Sequence, residues 1–240
     1  MPVTLPGGAA TRAETCYGRF TGNEWVCVDY LRDYREEIQQ ATVDHLVLTL
    51  AAVGLGLLLA LPLALVARRW ERLEGLVLGL ATSLYTVPSL ALLPLLVPFT
   101  GLTATTVVIG LALYCLTILV RAFLDGLRSV PAEVRESAVG LGYDGFRLLT
   151  RVELPLALPV VLTGLRVAMV STVALATVGT IVAHGGLGDL INHGRATDFK
   201  AELLTASVLC VLLALALDLL VLLVQRLATP WTRARLEVAR

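Results

Sequence analysis

Five long apolar runs constrain this chain more than any other feature of its sequence. The hydrocarbon core of a bilayer is about 30 Å thick and needs roughly 20 apolar residues in a helix. Runs that reach about this length occupy residues 46–67, 75–97, 103–124, 156–183 and 203–225. The chain is 57% hydrophobic and 16% charged, against about 45–50% and about 25% in soluble domains. This excess disfavours a soluble protein with buried helices and predicts an all-α, polytopic membrane protein with about five transmembrane helices.

The distribution of arginine predicts the orientation of these helices. Short cytoplasmic loops carry an excess of arginine and lysine. With the C-terminus inside, twelve arginines fall on the cytoplasmic side and six basic residues on the other side. We therefore expect a multi-pass protein of the cell membrane with the N-terminus outside. Its parts would be an extracytoplasmic tail at residues 1–45, a transmembrane domain at 46–225 that includes a cytoplasmic loop at 125–155, and a cytoplasmic tail at 226–240.

The extracytoplasmic tail combines an irregular beginning with a helical end. Residues 1–28 read as loop, whereas 29–45 read as an amphipathic helix that Asp29 can cap, with Tyr30, Tyr34, Ile38 and Ala41 on one face. The pattern fits a helix lying on the outer membrane surface, and equally a simple extension of the first span. Cys16 and Cys27 either form a disulfide, if the tail is extracytoplasmic, or remain free thiols.

The cytoplasmic loop carries the chemistry that the apolar runs lack. Residues 125–153 contain nine charged side chains. Ser129 and Pro131 predict the start of a short helix, Gly140 and Gly142 its end, and Asp144 the cap of a second short helix over 145–152. The prolines that follow predict the start of the next span. Such a compact knob suits insertion into a groove on a partner protein.

The cytoplasmic loop contains a motif with regular spacing. Glu136-Ser137-Ala138 is followed after three residues by Gly142, and after nine more by Val152-Glu153-Leu154-Pro155. This spacing resembles the EAA loop of binding-protein-dependent ABC importer permeases. Ser137 and Val152 replace the usual alanine and isoleucine, which are similar in size. The resemblance implies a type I importer permease fold whose loop is a coupling helix held by an ATPase subunit. It assigns ATPase coupling to Glu136, Ser137, Ala138, Gly142, Val152, Leu154 and Pro155.

The chain cannot bind ATP through a Walker A loop of its own. That motif requires a lysine after a glycine-rich turn, and the one lysine, Lys200, lies between Phe199 and Ala201. We therefore expect a non-catalytic transport subunit without a cofactor, with ATP bound and hydrolysed by a partner chain. Further expected partners are a second permease copy or homologue, an extracytoplasmic solute-binding protein and membrane lipid. No nucleic-acid partner is expected.

Three further segments resemble the osmoprotectant branch of these permeases. They are residues 85–91 (Tyr-Thr-Val-Pro-Ser-Leu-Ala), 164–168 (Gly-Leu-Arg-Val-Ala) and 185–191 (Gly-Gly-Leu-Gly-Asp-Leu-Ile). The resemblance implies import of glycine betaine, choline or carnitine. Methionine-type importers share the Gly-Gly-Leu-Gly element and remain an alternative, as does another small-solute importer. A different class, an ATP-independent secondary carrier, would show inverted repeats, and we find none.

Polar residues inside the spans supply the remaining candidates. The fourth span is rich in small and hydroxyl residues, which suit a solute pathway and helix packing equally well. The pathway candidates are Ser171, Thr172 and Thr177, together with Tyr85 and Tyr114 elsewhere. Arg166 and Asp218 lie at similar depths, and we expect them to form a structural ion pair. The three histidines read as ordinary solvated loop residues, and no cysteine or histidine spacing predicts a metal site.

Overall fold

The computed structural model describes residues 16–18 and 22–231, which are almost entirely helical. A two-residue strand, β1 (Tyr17–Gly18), pairs antiparallel with β2 (Gly22–Asn23). The α-helices that follow are α1 (Val28–Asp33), α2 (Arg35–Arg69), α3 (Glu71–Thr86), α4 (Ser89–Thr100), α5 (Ala104–Arg128), α6 (Ala132–Gly140), α7 (Gly145–Leu148), α8 (Leu154–Ala176), α9 (Leu187–Ala196) and α10 (Lys200–Ala228). A π-helical turn, Leu149–Glu153, joins α7 to α8, and a 3-10 helix, Thr177–Val182, follows α8. Residues 1–15, 19–21 and 232–240 of the predicted tails lie outside the described residues.

Four helical units within the described residues are long and apolar enough to cross a membrane. They are α2, α5, the continuous unit from Gly145 to Val182, and α10. The predicted spans at 46–67, 103–124 and 203–225 lie inside α2, α5 and α10 respectively. The helical unit around the fourth predicted span begins at Gly145, well before residue 156, and ends at Val182.

The second predicted span, 75–97, is not one helix. It is divided between α3 and α4, whose axes differ by 102°. The break falls at Val87, which has φ −67° and ψ 126°, immediately before Pro88. A residue that precedes proline is driven out of the helical region, and the proline itself has no N–H to donate. Pro94 and Pro98 lie within α4 without ending it, so the position of Pro88 decides where the run bends.

Small side chains bring α2, α5 and α8 into close contact. Ala60, Ala64 and Ala67 of α2 are fully buried in a cluster with Leu119 of α5. Where α8 crosses α5, a Cβ added at Gly164 would lie 2.2 Å from the Cβ of Ala122. Close approach through small residues is the usual basis of helix association in lipid. These three helices form the centre of the protomer.

The N-terminal segment is not one helix from 29 to 45. α1 ends before Tyr34, and the rest of the predicted helix is continuous with the first span in α2, as the extension alternative predicts. Its apolar face, including Tyr30 and Ile38, is buried against a cluster from α9 and α10. Cys27, and not Asp29, caps α1 by accepting a hydrogen bond from the Tyr30 N–H. Cys27 also forms a disulfide with Cys16.

The prediction that His45 is a solvated loop residue is wrong. Its side chain is completely buried, with Nδ1 3.1 Å from the carbonyl oxygen of Gly185 and Nε2 3.0 Å from that of Val173. The turn that contacts His45 requires glycine at position 186. Gly186 has φ +57°, and a Cβ added there would lie 2.7 Å from the backbone nitrogen of His45. The Gly-Gly-Leu-Gly element therefore fastens the end of α8 and the start of α9 to α2.

Candidate functional site

The charged loop folds into a helical hairpin, defined here as residues Ala132–Glu153, at one end of the helix bundle. Its first arm is α6, and its second arm is α7 with the π-helical turn. Asp144 caps α7 as the sequence predicts, since its Oδ1 accepts a hydrogen bond of 2.8 Å from the Arg147 N–H. Ser137 donates to the carbonyl oxygen of Glu133 at 2.7 Å, so a serine satisfies its hydroxyl locally at this helical position.

Gly142 forms the turn between the two arms. It has φ +83°, a conformation that costs other residues roughly 1–2 kcal/mol. The Tyr143 N–H donates to the carbonyl of Ala138 at 3.1 Å, and the Gly142 N–H donates to that of Val139 at 2.9 Å. This pair of bonds is a Schellman motif, which commonly ends a helix at a glycine. The glycine of the sequence motif therefore fixes the angle between the arms.

The tip of the helical hairpin exposes apolar side chains. Leu141 is 79% exposed, Phe146 75% and Val139 57%, and all three lie beside the Gly142 turn in the chain. Neighbouring charged residues, among them Glu136 and Arg147, are also exposed. A cluster of exposed apolar residues rimmed by charge is typical of a protein interaction site.

The second arm is not the separate short helix that the sequence predicts. Helical backbone continues from Gly145 through the π-helical turn into α8, and no break occurs at Pro155. Pro155 comes just after the π-helical turn, in which hydrogen bonds span five residues instead of four. The helical hairpin is therefore a rigid extension of the fourth membrane-spanning unit.

A buried carboxylate ties the helical hairpin to the rest of the bundle. Glu153 has a side chain only 3% exposed, and it accepts hydrogen bonds of 2.7 and 2.5 Å from the two terminal nitrogens of Arg68 in α2. The Nε atom of Arg135 in α6 lies 3.0 Å from Glu153 Oε1. Arg135 also donates to the carbonyl oxygen of Leu127 at the end of α5. One ion cluster therefore joins α2, α5 and α6 to the base of α8.

The other motif residues support this joint. Ala138 is buried, and Leu154 packs against the central cluster that includes Leu119. Val152 and Pro155 are partly buried, whereas Glu136, Ser137 and Gly142 are exposed. The motif thus divides into residues that face outward at the hairpin and residues that anchor it.

A groove of about 800 Å³ runs along α3, α5 and α8. Thr163, Val167 and Ser171 follow one face of α8 at intervals of four residues and line it. Tyr85 of α3 also lines it and is 47% exposed. Two of the predicted pathway residues, Ser171 and Tyr85, therefore share one concave surface.

The other three predicted pathway residues do not line that groove. Thr172 is 1% exposed and donates to the carbonyl of Ala168, which makes it a packing residue. Tyr114 is 5% exposed and donates to the carbonyl oxygen of Val87 at the α3–α4 bend, with its ring 5.9 Å from that of Tyr85. Thr177 lies in the 3-10 helix and donates to the carbonyl of Ala174. Hydroxyl groups in these spans are often used to satisfy backbone carbonyls, which sequence alone cannot distinguish from pathway positions.

Arg166 and Asp218 contact each other directly, in the pairing that the sequence predicts. Arg166 Nε and one terminal nitrogen each donate a 2.8 Å hydrogen bond to a different oxygen of Asp218. This two-bond geometry joins α8 to α10 and is the strongest arrangement available to such a pair.

Sequence reasoning missed the importance of Glu153. It stands inside the motif, but between two apolar residues, and nothing in its neighbourhood identifies Arg68, 85 positions away, as a partner. The sequence did contain one signal, because Glu153 is an acidic residue at the start of an apolar span. A charge at such a position is seldom buried unless it is paired, so a basic partner could have been expected.

Residues 52–234 match the family described as binding-protein-dependent transport system inner membrane component. The glycine betaine/carnitine/choline transport system permease protein OpuCD of Bacillus subtilis (strain 168) is 35% identical over 80% of this chain and 85% of its own length. The osmoprotectant import permease protein OsmW of Salmonella typhimurium is 33% identical over 85% of this chain and 97% of its own.

Solved structures share the fold. A chain of the MetNI methionine ABC transporter in an inward-facing conformation superposes with a TM-score of 0.74 at 20% identity, over 82% of this chain and 98% of that one. A chain from the crystal structure of an amino acid ABC transporter with histidines gives a TM-score of 0.68 at 19% identity, over 84% and 98%.

Proposed function

This chain belongs to the family of binding-protein-dependent transport system inner membrane components, and from that premise we propose that it imports quaternary-amine osmoprotectants. It is the multi-pass, inner-membrane permease subunit of an ABC importer, and that family works with an ATPase and a solute-binding protein. An ATP-independent secondary carrier is therefore not retained. The names of several relatives at 30–35% identity support the solute class, because they specify glycine betaine, carnitine or choline.

We propose that the helical hairpin is the part that the ATPase holds. The observation that carries this proposal is the exposed apolar tip at Val139, Leu141 and Phe146, on an extension that is helically continuous with a membrane-spanning unit. A displacement of the tip would reach α8 without an intervening flexible loop. ATP binding and hydrolysis then belong to the partner, and this chain contributes no catalytic residue and no cofactor.

The permease works as a dimer in this proposal. The groove along α3, α5 and α8 is open on the protomer, with Val167 53% exposed at its side. A second permease copy facing this groove would complete an enclosed pathway. Ser171 and Tyr85 would then contact the solute, and membrane lipid would surround the remaining apolar surface.

A valine at Gly142 is expected to weaken ATPase docking and to reduce uptake about tenfold or more. A β-branched residue is a genuine outlier at positive φ, and the resulting strain of roughly 1–2 kcal/mol would reorient α6. Gly140 provides a matched control, because an added Cβ there also meets nothing within 4 Å but its backbone is helical. Uptake of labelled choline, glycine betaine and carnitine is measured in proteoliposomes with the ATPase and solute-binding protein. Gly142→Val should fall below about a tenth of the wild-type rate, and Gly140→Val should not; equal rates would contradict the docking role.

The N-terminus is outside and the C-terminus cytoplasmic in this proposal. The disulfide between Cys16 and Cys27 supports it, because disulfides persist in oxidising compartments. Phe99 and Leu141 allow a matched test, since they are 84% and 79% exposed and fall on opposite predicted sides. In intact cells a membrane-impermeant maleimide should label Phe99→Cys, and should label Leu141→Cys only after permeabilisation. The reverse pattern would refute the orientation.

A further inference from the structure

We propose that this chain carries its own cation-binding site, in a cavity at the end of the molecule opposite the helical hairpin, and that the site takes a choline-like ammonium ion. The cavity, called here the outer cavity, has a volume of about 580 Å³, within the usual range for a small-molecule site. It lies between the N-terminal strands, the start of α2 and the loop that leads into α10. Six of its lining residues carry the argument: Tyr17, Tyr34, Phe199, Glu37, Asp198 and Glu202.

The position of the outer cavity follows from the course of α2. Glu37 lies near the beginning of that helix, and Arg68, which contacts the helical hairpin, lies near its end. At 1.5 Å per residue these positions are roughly 45 Å apart, more than the thickness of the hydrocarbon core. The outer cavity is therefore on the other side of the membrane from the ATPase, where a solute-binding protein delivers its ligand.

Aromatic rings make the first half of the site. The Tyr17 ring centroid lies 5.9 Å from that of Phe199 and 5.8 Å from that of Tyr34, so three rings meet at one wall. Tyr30, 1% exposed, packs behind them at 5.0 Å from both Tyr34 and Phe199. The Tyr17 hydroxyl donates to Asp33, and this bond raises the pKa of Tyr17 to about 12, so the phenol stays neutral. Aromatic faces attract quaternary ammonium groups, which have no N–H to donate.

Carboxylates make the second half. Glu37 and Asp198 are exposed at the cavity, whereas Glu202 is 3% exposed and still lines it. Among the described lining residues the one basic side chain is His193, whose Nδ1 lies 2.8 Å from Glu202 Oε2. Three acidic groups against one histidine leave the cavity negative whether or not that histidine is protonated.

The sign of this charge discriminates among the solutes named for the relatives. Choline is a cation without a carboxylate, whereas glycine betaine and carnitine carry one, which the three acidic groups would repel. The choice of a choline-like solute rests on the proposed function, but the presence of a cation site does not. The outer cavity therefore receives choline-like cations beside the solute-binding protein, and it binds zwitterions less tightly.

The test is equilibrium binding of radiolabelled choline to the permease–ATPase complex in nanodiscs without solute-binding protein. Choline should bind saturably and be displaced by tetramethylammonium, but not by glycine betaine or by the neutral isostere 3,3-dimethyl-1-butanol. Phe199→Leu should weaken binding about two- to fivefold, the loss expected for one cation–π contact near the surface. Phe99→Leu, the same change at a phenylalanine outside the cavity, should leave binding unchanged.

Glu202→Gln and Glu37→Gln test the charge. Each should weaken choline binding and reduce the preference for choline over glycine betaine. Glu37→Gln keeps the test valid if Glu202→Gln fails to assemble, because Glu37 is exposed. No saturable binding, equal displacement by the neutral isostere, or unchanged affinity in both Phe199→Leu and Glu37→Gln would overturn the site.

Uptake in proteoliposomes separates this inference from the proposed function. Osmoprotectant uptake without choline binding to the complex would remove the outer cavity site and leave the proposed function intact. Choline binding that responds to Phe199→Leu, in a complex that imports no osmoprotectant, would support the site and refute the proposed solute.

Discussion

Replacing Glu153 with leucine is expected to destabilise the permease by roughly 3–5 kcal/mol and to abolish solute uptake. Breaking a buried ion pair from one side leaves the partner charge uncompensated, which costs about that much. Here the loss would leave Arg68, 30% exposed, and Arg135, 29% exposed, without the carboxylate that both contact. The loss should affect the helical hairpin in particular, because this cluster fixes α6 against α2 and the base of α8. We expect less ATPase to copurify and uptake to fall to background.

Glu74→Leu is the matched control for this prediction. Glu74 forms an ion pair with Arg128 in which the two side chains are 20% and 56% exposed, against 3% for Glu153, and pairs that are open to solvent contribute about 0–1 kcal/mol. Thermal unfolding in detergent and ATPase copurification are compared for both variants. Glu153→Gln serves as a second variant, since it keeps the shape and removes the charge. The prediction fails if both Glu153 variants unfold at the same temperature as Glu74→Leu and copurify with as much ATPase. The ion cluster would then have no role in holding the helical hairpin.

Reversing either charge of the Arg166–Asp218 pair should prevent assembly of the permease in the membrane. Arg166→Asp places two carboxylates together between α8 and α10, and Asp218→Arg places two guanidinium groups there. Unpaired ionisable groups within a membrane span are costly, and like charges add repulsion. We expect each single variant to accumulate at least about tenfold less folded protein in the membrane.

The double variant, with aspartate at 166 and arginine at 218, should recover part of the lost protein. The two 2.8 Å bonds of the native pair can be rebuilt with the charges exchanged, although the shape around them differs. The same exchange at the exposed Glu74–Arg128 pair is the control, and its single reversals should have little effect. Folded protein is measured by size-exclusion profile of a fluorescent fusion. Failure of the double variant to exceed both single variants would mean that the contact does not support assembly.

The sequence was sufficient where a property depends on local composition or on residues close together in the chain. The length of the apolar runs identified spans inside α2, α5 and α10. A segment in lipid must hydrogen-bond its own backbone groups, and a helix does this within one stretch of chain. Asp144 as a cap and Gly142 as a turn were predictable, because a capping bond and a positive φ involve a few neighbouring residues. The spacing of the coupling motif also identified the family.

Contacts between residues far apart in the chain could mostly not be predicted from the sequence. The depths of Arg166 and Asp218 suggested their contact, since two charges in adjacent spans have few other partners. Nothing comparable indicated that His45 would be buried against the Gly185 turn, or that Tyr114 would bond to Val87, outside the groove that Tyr85 lines. A hydroxyl or imidazole in a span is equally compatible with packing and with a pathway until its neighbours are known.

The sequence by itself therefore determined that this chain is a membrane-spanning permease, and it predicts that the segment around Gly142 couples the chain to a partner, because hydrophobic length and motif spacing are local properties. Only the tertiary structure decided that Pro88 bends the second span by 102°, that Glu153 binds arginines from two helices, and that rings and carboxylates from both ends of the chain meet in the outer cavity. The physical reason is that burial and charge pairing depend on which helix faces overlap, and that overlap is set by packing among residues distant in sequence.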